Sequence, residues 1–113
     1  TVKEIRFSGV SGEVKGPFDT IDKYMENAKI AFSGAVEESS LNYETVDLLY
    51  DGEAAEYDGI YDAENMTYTI YPDVLPENDA KIEVKLSGVS DIAGNEVKSF
   101  STYIAQIRKN LNS

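Results

Sequence analysis

Lys81-Ile82-Glu83-Val84-Lys85-Leu86, then Asp91-Ile92-Ala93-Gly94-Asn95, then Val97-Lys98-Ser99-Phe100-Ser101-Thr102: the reading of this stretch decides the fold. The outer runs alternate apolar with polar residues, the period of two that a strand needs when one face is buried and the other wet. The five residues between them supply turn chemistry. Asp91 can accept a hydrogen bond from the backbone two residues on, and Gly94 can take positive φ without steric cost. The expected element is a hairpin with a bulged loop at the far end of an all-β domain.

The same pattern runs backwards along the chain. Val2 to Ser8 reads as a strand with Ile5 and Phe7 inward, followed by an irregular stretch punctuated by Gly9, Gly12, Gly16 and Pro17. Asp19 to Glu26 could hold a helical turn capped by Asp19 or Thr20. Ala28, Ile30 and Phe32 mark a second strand, and Val46, Leu48 and Tyr50 a third, with a capped turn at 39–42 between them. Asp51-Gly52 is a hairpin signal, Ala54 to Tyr61 a weak edge strand, and Met66, Tyr68 and Ile70 a further strand that Pro72 ends. Leu75 is placed to plug one end of the core. Short strands at this spacing predict an antiparallel β-sandwich of about seven or more strands. Its expected core is Ile30, Phe32, Leu48, Tyr68, Ile70, Ile82, Val84, Leu86 and Phe100. Residues 1–105 read as one domain and 106–113 as a polar tail or linker.

Composition excludes several functions. At 113 residues, 42% of them hydrophobic, the chain can bury a core without staples. It has no cysteine and no histidine, which removes disulfides, thiolate metal sites, imidazole ligands and the commonest general base. Twenty-one acids against ten bases give a net charge of −11. Such a surface repels phosphate backbones and anionic headgroups, so neither nucleic acid nor a membrane surface is an expected partner. No apolar run approaches the roughly 20 residues of a membrane span. The chain opens directly on strand-like sequence and reads as a segment of something longer.

Candidate sites compete with plainer readings. The stretch 51–64 carries six acids and no base. Calcium is the cofactor it could hold, through Asp51, Asp58 and Asp62, but the spacing fits no EF-hand loop. The favoured reading is a solvated hairpin whose charges guard a sheet edge. Asp91 is likewise a turn cap before it is a metal ligand. Eight tyrosines without tryptophan raise a carbohydrate platform or partner contact, with Tyr57, Tyr61 and Tyr71 facing out and Tyr68 in the core. Carboxylate pairs suited to glycoside hydrolysis lack a deep cleft in a sandwich this size, and no hydroxyl has a histidine partner. No catalytic residue and no resident cofactor is expected.

A series of motifs adds a resemblance. Phe32-Ser33, Ser39-Ser40-Leu41-Asn42, Thr45-Val46-Asp47-Leu48, Tyr68-Thr69-Ile70 with Pro72 and Leu75, and Gly88-Val89-Ser90-Asp91-Ile92-Ala93-Gly94-Asn95 with Phe100 and Thr102 occur in order. Over about three quarters of the chain, Ile21 to Tyr103, this resembles the bacterial Ig-like domains of S-layer and other cell-surface proteins. The resemblance implies an Ig-like sandwich, extracellular, monomeric in isolation and strung with neighbouring domains of the same chain as a structural spacer. The alternative is an adhesion module that binds a cell-wall polysaccharide or a surface protein through exposed tyrosines and loop carboxylates.

Overall fold

The computed structural model describes residues 1–9, 12–17, 19–22, 25–77 and 79–107. Ten strands follow one another: β1 (Val2–Gly9), β2 (Gly12–Lys15), β3 (Thr20–Asp22), β4 (Met25–Phe32), β5 (Val46–Tyr50), β6 (Glu53–Ala55), β7 (Tyr57–Asp62), β8 (Thr67–Pro72), β9 (Lys81–Leu86) and β10 (Phe100–Ile107). They form two five-stranded sheets, ordered β2-β1-β4-β8-β7 and β3-β10-β9-β5-β6. The protein is an all-β sandwich. Among the described residues, all strand pairings are antiparallel except β3 on β10.

Alternation places the core. Ile82, Val84 and Leu86 of β9 face Ile30, Phe32, Tyr68 and Ile70 of the other sheet, with Leu48 beside them, and all eight are buried. Their register is the expected one, since a slip of one residue would have turned the row outward. Phe100 departs from the expected core. It pairs with Leu86 but remains 39% exposed, because it starts β10 where the sandwich opens. The inward row of β10 is continued by Thr102, Ile104 and Gln106.

Five further expectations are corrected. Asp19 to Glu26 contains no helical turn among its described residues: Ile21 is buried in β3, held by parallel pairing to β10, and β4 begins at Met25. A ladder to the end of the chain outweighs a local cap. The irregular stretch after Gly9 holds β2. Ala54 to Tyr61 spans two strands, β6 and β7, which break at Glu56 and lie in different sheets. Leu75 is 46% exposed and the buried plug is its neighbour Pro76. Gln106 and Ile107 belong to β10 rather than to a tail, and 108–113 lie outside the described residues.

The β9–β10 hairpin is also longer than expected. Residues 87–99 form a nested loop in which the Val97 amide donates to Val89 O at 2.7 Å and Ser90 bridges Glu96.

Two consequences follow from this topology. At each lateral edge the chain crosses between sheets, β2 to β3 on one side and β6 to β7 on the other. Along the long axis, β1 starts opposite Phe32 and ends opposite Met25, while β10 ends where Gln106 meets Met25. The first strand therefore begins at one pole and the last strand ends at the other, in a body of 53 × 24 × 21 Å.

Candidate functional site

The acidic stretch forms the β6–β7 edge. Glu53, Glu56, Asp58, Asp62 and Glu64 are exposed on or beside the outermost strands of both sheets. Charge at that position discourages pairing with another chain's strand. The carboxylates do not converge. Asp51, at φ 51°, accepts from the Lys81 amide at 2.9 Å and so ties the β5–β6 turn to the start of β9. Asp62 accepts from the amides of Glu64 at 3.1 Å and Asn65 at 3.2 Å, and from the Asn65 side chain at 2.7 Å. The Asn65 side-chain bond, then these amides, hold the Asp62 carboxyl below its usual range. Asp91 accepts from Ala93 and Asn95 amides, both at 2.9 Å, around Gly94 at φ +88°. Asp58 stands exposed on β7. Among the described residues, no three acids lie close enough to hold a metal ion.

The tyrosines divide into three kinds. Tyr57, expected to face out, is 1% exposed and bridges the two sheets. Its hydroxyl donates to Val46 O at 2.8 Å on β5, above the point where the short β6 stops covering that strand. Burial raises its phenol pKa well beyond the ordinary range. Tyr61 is half-buried, and its hydroxyl accepts from the Val36 amide at 3.0 Å. Tyr71 is exposed on β8, across the ladder from Asp58. The three expected contact residues thus form no common platform. Tyr68, the expected core tyrosine, packs over Gly59, where a Cβ would meet its hydroxyl oxygen at 1.9 Å.

Sequence reasoning missed Tyr43. It lies 60% exposed in the loop before β5, yet it is held in place. Its ring sits edge-on to Tyr57 at 4.9 Å, and its hydroxyl donates to the Tyr57 carbonyl. Tyr43 lines a groove of about 520 Å³ together with Ala54, Ala55, Asp47 and Glu56. The only available signal was the capped turn at 39–42. Asn42 Oδ1 accepts from the amides of Glu44 at 2.8 Å and Thr45 at 3.2 Å, which aims the loop.

Gln106 was missed as well. It is fully buried, and its Oε1 accepts from the Met25 amide at 2.8 Å. Its Nε2 donates to Pro76 O at 2.8 Å and Glu77 O at 3.1 Å. One side chain thereby joins β10, β4 of the opposite sheet and the 73–80 connection.

No family model and no curated protein matches the sequence. Solved structures do resemble the fold. A crystal structure of the S-layer protein SbsC matches 97% of this chain at 15% identity with a TM-score of 0.64. A structure of SbsC domains 1–6 matches 96% at 14% identity, also with a TM-score of 0.64. This chain spans 14% of the length of each SbsC chain. The crystal structure of CopC from Methylosinus trichosporium OB3b matches 85% of this chain and 90% of its own, at 19% identity and a TM-score of 0.66. At such identities the likeness is one of fold.

Proposed function

We propose that this chain is a non-catalytic spacer module of a larger bacterial surface or secreted protein, a single sandwich running from Val2 to Ile107. The observation that carries this reading is the through-going path, from β1 at one pole to the end of β10 at the other. A module so threaded sets the distance and direction between whatever precedes and whatever follows it. The acid-bearing outermost strands β6 and β7 support the same role, since like charge at a sheet edge discourages pairing with another copy of the chain. Likeness of fold to domains that make up a small part of an S-layer protein supports an extracellular setting. Three of the four candidate carboxylates, Asp51, Asp62 and Asp91, are engaged by backbone amides, and the sequence lacks histidine, the commonest general base.

Module replacement in the parent protein tests this role. Exchange for an unrelated sandwich of equal pole-to-pole length should preserve surface display and function, and deletion should impair them. Failure of the equal-length exchange, alongside a functional native chain, would overturn the spacer reading.

A further inference from the structure

The groove beside Tyr43 differs from the turn caps in having something to offer a partner. Its wall is an aromatic ring that is exposed yet fixed by its own hydroxyl bond and by the edge-on contact with Tyr57. The groove is also lined by the small, apolar pair Ala54 and Ala55 of β6, the outermost strand of its sheet. Two carboxylates, Asp47 and Glu56, line it, and the flanking 51–64 stretch adds acids without a single base. A preorganised aromatic surface, an apolar slot and an excess of negative charge, with Lys85 the one cation facing Asp47 across the β5–β9 ladder, together suit a cation carried on an apolar stem. That is the chemistry of a lysine or arginine side chain.

We propose that this groove docks an extended, lysine- or arginine-bearing segment of a partner protein. The segment lies along the open side of β6, with a cationic side chain against the Tyr43 ring and its charge shared between Asp47 and Glu56. β6 supplies main-chain groups for an added strand, as sheet edges do in other peptide complexes. The same acids repel another copy of this chain, so charge that prevents self-pairing also selects a basic partner. The inference is independent of the spacer role: a spacer without this contact remains a spacer.

The test is an NMR titration of the intact chain with a capped peptide alternating lysine and threonine. A matched peptide with glutamate in place of lysine is the control. Shifts should centre on Tyr43, Asp47 and 54–56 and weaken as ionic strength rises. Tyr43→Ala should weaken binding about fivefold through loss of the ring contact. Glu56→Gln, on an exposed residue whose removal spares the fold, should weaken it about twofold to fivefold. Three outcomes would overturn the proposal: no binding, equal binding of the acidic peptide, or shifts spread evenly over Glu53, Asp58, Asp62 and Glu64 in both wild type and Glu56→Gln.

Discussion

Each pole of the sandwich holds a polar side chain that binds several backbone groups, Asp91 at one and Gln106 at the other, and the two differ in reach. At the pole where β1 begins, Asp91 caps amides two and four residues away, and the loop closes on itself through Asp91 N to Asn95 O at 2.8 Å. At the other pole, Gln106 binds Met25 across 81 positions of sequence and Pro76 across 30. The first device is local and exposed, and water can replace what it loses. The second is long-range and buried, so its partners have no substitute. Equal-looking hydrogen bonds should therefore differ in consequence according to where they sit.

The largest effect is expected at Gln106. Gln106→Leu keeps an apolar volume but strands the Met25 amide and the carbonyls of Pro76 and Glu77, at a cost of about 3 kcal/mol. Chemical denaturation reads this as a lower midpoint; a loss within experimental error would break the contrast between the poles.

Glycines at the two poles make a matched pair. Gly94 and Gly52 hold φ of +88° and +86°, and a Cβ at either would meet nothing within 4 Å. Only backbone strain distinguishes valine from glycine there, so Gly94→Val and Gly52→Val should each cost about 1–3 kcal/mol. Melting curves that separate them widely would mean that one turn relaxes out of the left-handed region.

Asp91 should matter less than Gln106. Asp91→Ala removes two exposed acceptor contacts and is expected to cost about 1 kcal/mol. Asp91→Asn retains the acceptor oxygen and should stay near wild type. An asparagine variant as unstable as the alanine would show that charge, rather than geometry, holds the loop.

Burial of tyrosines adds an alkaline limit. Tyr50, whose hydroxyl donates to Val74 O at 2.8 Å, has its pKa pushed up to about 12 by burial, and burial raises Tyr57 further. Both favour the neutral phenol in the folded state. Their contribution is complete below the ordinary tyrosine pKa of about 10 and is lost as pH climbs through the folded value. Phenolate absorbance should rise together with loss of β-sheet circular dichroism, and Tyr50→Phe should move that transition upward. Ionisation of Tyr57 well before unfolding would contradict its burial.

The smallest effect concerns salt. The charge of −11 is spread over edges and turns, so calcium, magnesium and sodium chlorides at matched ionic strength should raise the melting midpoint alike. A saturable rise specific to calcium, abolished by Asp58→Asn or Asp62→Asn, would make the acidic edge a site.

The same division by reach explains what could be read from the sequence. The strands at 28–32, 46–50 and 81–86 were legible because alternation is written in consecutive residues. The Asp91 loop was legible because its donors and acceptor lie within five positions. Gln106 was not, since nothing in a polar tail announces that Met25 will need an acceptor. Tyr57 was misjudged because the sheet switch at Glu56 rotates the chain, and period-two counting across 54–61 cannot detect a change of sheet. Tyr43 and its groove arise only when the loop before β5 meets the β6–β7 crossing.

The spacer account rests on a body of fixed length between two poles, and a distance measurement addresses it directly. The chain has no native cysteine, and Ile92 and Val74 are 69% and 72% exposed at opposite poles. Spin labels at Ile92→Cys and Val74→Cys, measured by pulsed electron resonance, should give one narrow distance well beyond the 24 Å width of the sandwich, unchanged by salt or calcium. A broad distribution, or a distance that collapses or shifts with conditions, would contradict it.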